Sequence, residues 1–86
     1  MNIAEKAVKI VYGDREITHG DPSVNIGLIS ELWTAYTGSR ISSEDVCNMM
    51  VLLKIARLKT NPNHEDSSVD VIGYTLLRER IRENDE

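Results

Sequence analysis

The sequence predicts an all-α protein: an antiparallel bundle of about four helices forming one domain over residues 1–86. Three observations carry this. Apolar residues recur at three- and four-residue spacing in four separate stretches. Start and stop residues bracket those stretches. The length of 86 residues allows one domain and only a thin core.

The first helix is expected over 2–12. Ile3, Ala7, Val8, Ile10 and Val11 give it an apolar side, Lys6 and Lys9 face water, and Gly13 ends it. Residues 13–22 read GDREITHGDP, and two Gly-Asp pairs with a proline exclude regular structure. So long a connection in so small a domain is often functional. Asp21 and Pro22 open the second helix, 22–37, as N-cap and first helical residue. Val24, Leu28, Ile29, Leu32, Trp33 and Tyr36 follow at helical spacing, and Gly38 suits the C-terminal turn.

The third helix is expected over 43–59. Ser42 and Asp45 stand at capping-box spacing, with Ile41 and Val46 placed as a hydrophobic staple. Its apolar residues, from Val46 to Ala56, cover most of the circumference, which predicts a central, buried helix. The fourth is expected over 66–82, starting near Asp66 or Ser67, with Ser67 and Asp70 at capping-box spacing and Val69, Ile72, Leu76 and Leu77 as its stripe. Gly73 sits on that stripe at a cost of about 1 kcal/mol relative to alanine, which close approach of a helix or a ligand would explain. The charged segment from Arg78 onward is expected to fray.

The hydrophobic fraction of 41% is that of a globular chain. The formal net charge of −4 argues against a duplex-DNA binder but leaves a small anionic ligand open. Cys47, the single cysteine, lies in an apolar helical stretch and reads as a buried structural thiol. No signal peptide and no membrane-length apolar run is visible, so the cytoplasm is expected and no membrane partner.

Three groups of residues could carry chemistry. Lys54, Arg57 and Lys59 end the third helix, and Arg57 falls on its apolar line. An arginine placed there needs a partner: an internal salt bridge to Asp66 or Asp70, or a bound phosphate. Asp66, Asp70 and Tyr74 recur every four residues on the fourth helix, behind His64 and Glu65. Two carboxylates one turn apart either share a hard cation or serve a helix start. His64 has no second histidine or cysteine at ligand spacing. The first loop supplies Tyr12, Asp14, Arg15 and His19 among glycines, which suits a base-and-phosphate site or a solvated turn. Trp33 and Tyr36 fit the core and a cleft wall better than a stacking box. Walker, dinucleotide, nucleophile-elbow and zinc motifs are absent.

The combination Tyr12-Gly13-Asp14-Arg15, His19-Gly20-Asp21-Pro22, Trp33, Lys54-x-x-Arg57 and His64-x-Asp66-x-x-x-Asp70-x-x-Gly73-Tyr74 resembles a family of small phage and prophage proteins over nearly the whole chain. That family is in turn distantly similar to nucleotide-modification-associated domains and to MazG-like all-α nucleoside triphosphate pyrophosphohydrolases. The resemblance implies a MazG-like helical bundle and a nucleotide ligand. MazG-like enzymes hold Mg²⁺ with E-x-x-E on one helix and E-x-x-D on the next. Here the second helix offers only Glu31, and the fourth has Asp66 and Asp70 at spacing four.

The expected function is therefore phage-type nucleotide binding without catalysis, with no cofactor and no resident metal. A host signalling nucleotide is among the ligands considered. Alternatives are a Mg²⁺-dependent pyrophosphohydrolase-like enzyme and a protein-binding adaptor. An up-down order would gather Tyr12, Asp14, Arg15, His19, Lys54, Arg57, His64, Asp66, Asp70 and Tyr74 at one end of the bundle, as the ligand site. A homo-oligomer is expected, because so apolar a third helix outruns the cover that three neighbours provide.

Overall fold

The computed structural model describes residues 1–13 and 21–85, and within them it holds four helices and no strand. They are α1 (Ile3–Tyr12), α2 (Pro22–Thr37), α3 (Ser43–Thr60) and α4 (Glu65–Asp85). The termini form as local chemistry dictates. The Asn2 side chain accepts the Glu5 N–H at 2.8 Å and starts α1. Asp21 accepts the Ser23 N–H at 2.9 Å ahead of Pro22 and starts α2. Ser42 and Asp45 close both bonds of the capping box on α3, each at 3.0 Å.

Two glycines end helices for different reasons. Gly38 adopts φ 74°, the left-handed turn that side chains resist. At Gly13 the obstacle is contact: a Cβ there would stand 2.5 Å from the Lys9 carbonyl oxygen. The short α2–α3 turn is tied back by α2 itself. Thr34 Oγ1 accepts the Ile41 N–H at 2.9 Å, and Ser30 Oγ donates to the Ile41 carbonyl at 2.6 Å.

The central element is α4, not α3. It packs against each of the other three helices, and from Ser67 to Arg78 none of its residues is fully exposed. The third helix is covered on one side only: Val46 and Cys47 are buried, whereas Met49, Leu52, Leu53 and Ile55 are exposed. Apolarity around a helix states a capacity for burial; which helix receives three neighbours is settled by the packing.

The start of α4 also differs from expectation. His64 is its cap, the imidazole Nδ1 accepting the Ser67 N–H at 3.2 Å and facing the Ser67 hydroxyl at 2.7 Å. Ser67 is fully buried there and does not cap. The far end continues as helix: α4 runs to Asp85, and Ile81, inside the stretch expected to fray, is in the core with Ile26, Val46, Cys47 and Leu77.

The helix order is not simple up-down. Lys6 on α1 meets Glu65 at the start of α4, 2.8 Å apart. Val11, later on α1, lies beside Gly73 and accepts at its carbonyl from Arg80 Nη1 at 3.2 Å. The two helices therefore run in the same direction. By contrast α3 runs against α4, with Glu44 near Arg82 at 3.6 Å and Lys54 near Asp70 at 3.2 Å.

Arg80 decides this arrangement. Only 17% of its side chain is exposed. It reaches the Val11 carbonyl, lies 5.2 Å from the Tyr12 ring centroid, and stands 3.6 Å from Asp21. One guanidinium so pins the end of α1 and the start of α2. Replacing it (Arg80→Met) removes a charged hydrogen bond, a cation–π contact and an ion pair, and is expected to cost about 1–3 kcal/mol. Thermal unfolding should shift down by roughly 5–15 °C in a domain of this size.

Asp21 adds a pH dependence. The Ser23 N–H and hydroxyl, and then the Arg80 charge, hold its carboxyl below the ordinary value of 3.8. Folding thus favours its ionised form, so the stability it adds is present above pH 3.8 and is lost as pH falls through and below that value. Asp21→Asn is expected to lower stability at neutral pH by about 0.5 kcal/mol, the carboxyl being partly exposed. Denaturant titrations of the two proteins should converge as the pH drops past 3.8.

Candidate functional site

A cleft of about 210 Å³ opens where all four helices face one another. Ala7, Ile10 and Val11 come from α1, Pro22, Asn25, Ile26 and Ile29 from α2, and Met50 from α3. The long wall is α4, with Val69, Asp70, Gly73, Tyr74 and Leu77. Four-residue spacing on α4 brings Asp70 and Tyr74 to one side, and Gly73 withholds a side chain between them.

Gly73 is not demanded by helix packing. A Cβ built there would meet only the Val11 Cγ2 atom, at 3.7 Å, an ordinary contact. An alanine would fit and would make a better helix by about 1 kcal/mol. What the glycine preserves is room in the cleft.

The lining is mostly apolar, with polar groups at Asn25, Asp70 and Tyr74. The Asp70 carboxylate is oriented from outside by Lys54, whose Nζ lies 3.2 Å from Oδ2. An apolar slot with an aromatic wall, an amide and a carboxylate suits a flat heterocycle with hydrogen-bonding edges. It is smaller than the roughly 300–1,000 Å³ of sites that enclose a drug-sized ligand.

The structure thus joins Asp70 and Tyr74 directly and Lys54 through its ion pair. Arg57, one turn further along α3, is exposed and is not the buried apolar-face charge that its spacing implies. Among the described residues no carboxylate pairs with it; Lys54 takes the partner expected of Arg57. His64 is engaged as a helix cap. Asp66 is exposed in the first turn of α4, where negative charge complements the helix dipole. Tyr12 is half-exposed against Arg80, beside the later part of α4. It does not join Lys54 and His64 at one end, because α1 and α4 run in parallel. Asp14, Arg15 and His19 lie outside the described residues. Among the described residues no three His, Cys, Asp or Glu side chains converge as a metal-binding group. Cys47 is buried, and desolvation pushes its thiol up to about 11, as a structural thiol requires.

Asn25 was missed from sequence. The available signal was its position three after Pro22 and four before Ile29, a polar group on an inward line. Arg80 was missed because it lies in a stretch of charges that reads as solvated.

Fold and cleft define a small helical domain with a mixed apolar and polar slot between its helices. The chain belongs to the family described as domain of unknown function DUF6378, whose model matches residues 2–82. It is similar to the Gene 55 protein of Mycobacterium phage D29, 40% identical over 82 residues, covering 95% of this chain and 54% of that protein. The Gene 55 protein of Mycobacterium phage L5 is 41% identical over 83 residues, covering 95% and 53%. The chain spans about half the length of these curated relatives. No solved structure matches. No helix among the described residues is long and apolar enough to cross a membrane.

The two basic residues of α3 should separate in a stability assay. Arg57→Met, at an exposed site, is expected to change unfolding free energy by less than about 0.5 kcal/mol. Lys54→Met strips Asp70 of its partner and is expected to cost about 1 kcal/mol. Chemical denaturation of both variants without ligand measures the contrast.

Proposed function

We propose that this protein is a non-catalytic, phage-type nucleotide-binding protein that captures its ligand in the cytoplasm. The observation that carries the reading is the slot kept open by Gly73, a glycine that packing does not require. The base enters between Tyr74 and the α1–α2 wall, where the Asn25 amide and the Asp70 carboxylate meet its polar edge. The sugar and phosphates remain outside. In this reading Lys54 and Arg57 meet them, Arg57 being exposed and, among the described residues, without a carboxylate partner. Phosphate binding in this position gains from the exposed Arg57 charge at little desolvation cost, while Lys54 stays shared with Asp70.

The nucleotide class comes from the resemblance to MazG-like domains, and the phage relatives fit the sequestering role. A phage gains by withdrawing a host signalling nucleotide, and withdrawal needs tight binding alone. The slot accommodates a base and makes no demand on turnover.

The test is a thermal-shift panel of purine and pyrimidine mono-, di- and triphosphates, with and without Mg²⁺, followed by chromatography of the nucleotide. The expected outcome is stabilisation by one base class with the nucleotide recovered intact. Turnover would replace this reading with the pyrophosphohydrolase one, and silence across the panel would favour an adaptor. Gly73→Ala sharpens the test. It should raise the melting temperature of the free protein by about 4–8 °C, from about 1 kcal/mol of helix propensity. It should weaken binding at least tenfold by narrowing the slot. Unchanged affinity in this variant would separate the ligand from the cleft.

A further inference from the structure

Among the described residues eight apolar side chains are buried, whereas thirteen large ones are exposed. The chain exposes 5935 Å². A folded monomer of 9.7 kDa is expected to expose about 5,100 Å². The excess, about 800 Å², is the area that each partner contributes to a standard interface.

The exposed side chains are ordered. On α2, Val24, Leu28, Leu32 and Tyr36 recur every four residues, with Val24 71% and Tyr36 93% exposed. Such a row is one continuous ridge of the kind that helices interlock. On its antiparallel neighbour α3, Met49, Leu52 and Leu53 stand at three- and four-residue spacing, with Leu52 64% exposed. Neither row contains a charged residue. The other faces of both helices are already in use: Ile26, Ile29 and Trp33 on α2, and Val46, Cys47 and Met50 on α3, belong to the core.

We propose that a second copy of this chain covers the outward rows of α2 and α3, giving a two-fold homodimer with two helices from each protomer at the interface. The named residues of these rows are uncharged, and the acids that border them, Glu31 beside Leu28 and Leu32 and Asp45 one turn before Met49, are exposed at their edges. A two-fold interface must complement itself, which a four-residue ridge does when it packs against its own copy. The excess exposure of the whole chain is of the order of one half-interface. This assignment is independent of the nucleotide reading.

Sedimentation equilibrium of the whole chain at micromolar concentration tests it. The expected mass is that of two chains, and Leu32→Glu with Leu53→Glu should reduce it to one while circular dichroism keeps its helical signal. A wild-type mass of one chain overturns the proposal, and so does a folded double variant that still pairs. Because the double variant could lose its fold, a single cysteine gives a second measurement. Cys47 is buried and its thiol resists ionisation, so it stays silent toward iodoacetamide. Leu32→Cys should react about tenfold more slowly at high than at low protein concentration, by mass action on the dimer. Val8→Cys, an exposed position on α1, should react at one rate throughout. Equal behaviour of the two cysteines overturns the assigned surface.

Discussion

The bundle turns on the Arg80 guanidinium, held against the Val11 carbonyl, the Tyr12 ring and the Asp21 carboxylate. A cation that is mostly withdrawn from water must be answered by acceptors. Here those acceptors are the last turn of α1 and the cap of α2. With the end of α1 fixed there and Lys6 held to Glu65 at its other end, α1 runs alongside α4 in the same direction, and α2 starts beside the later half of α4. The cleft is the space left between those two helices, Met50 of α3 and the α4 wall.

The same logic extends along α4. Asp70 is answered by Lys54, Arg78 by Asn48, Ser67 by His64, and Thr75 by the carbonyl of Val71. A central helix this polar stays covered because nearly every polar group meets a partner. A single exception among the described residues is Arg78 Nε, which is buried without one. The hydrophobic core proper is small, five side chains around Cys47 with partly buried residues against it. Polar ties therefore set the register of the helices, and apolar burial holds them together.

This division of labour bears on function. A core concentrated at Ile26, Val46, Cys47, Leu77 and Ile81 leaves the region around Gly73 thinly filled. The proposed ligand slot and the proposed dimer face then come from one shortage: four helices of this length enclose little. The slot beside Gly73 and the outward rows of α2 and α3 are two places where that shortage shows. The first has polar groups and an aromatic wall, and the second is a pair of apolar rows, which is why they are assigned to different kinds of partner.

By itself the sequence determined the helices. Asp21-Pro22, Gly38 and the Ser42–Asp45 box each act within a few residues, and such signals are complete in the local chain. It also marked Gly73, Asp70 and Tyr74, because helical spacing alone places them on one face. Tertiary structure decided which helix is central, that α1 is parallel to α4, and that Lys54 and not Arg57 meets Asp70. It also turned His64 into a cap, and a stretch that reads as a fraying tail into the element that positions α1 and α2. These are choices among partners distant in the chain: Arg80 and Val11 are 69 residues apart. Residue spacing states what a side chain needs, an acceptor for Arg80 or cover for Leu53, but only the packed fold determines which group supplies it and which need is left for another molecule.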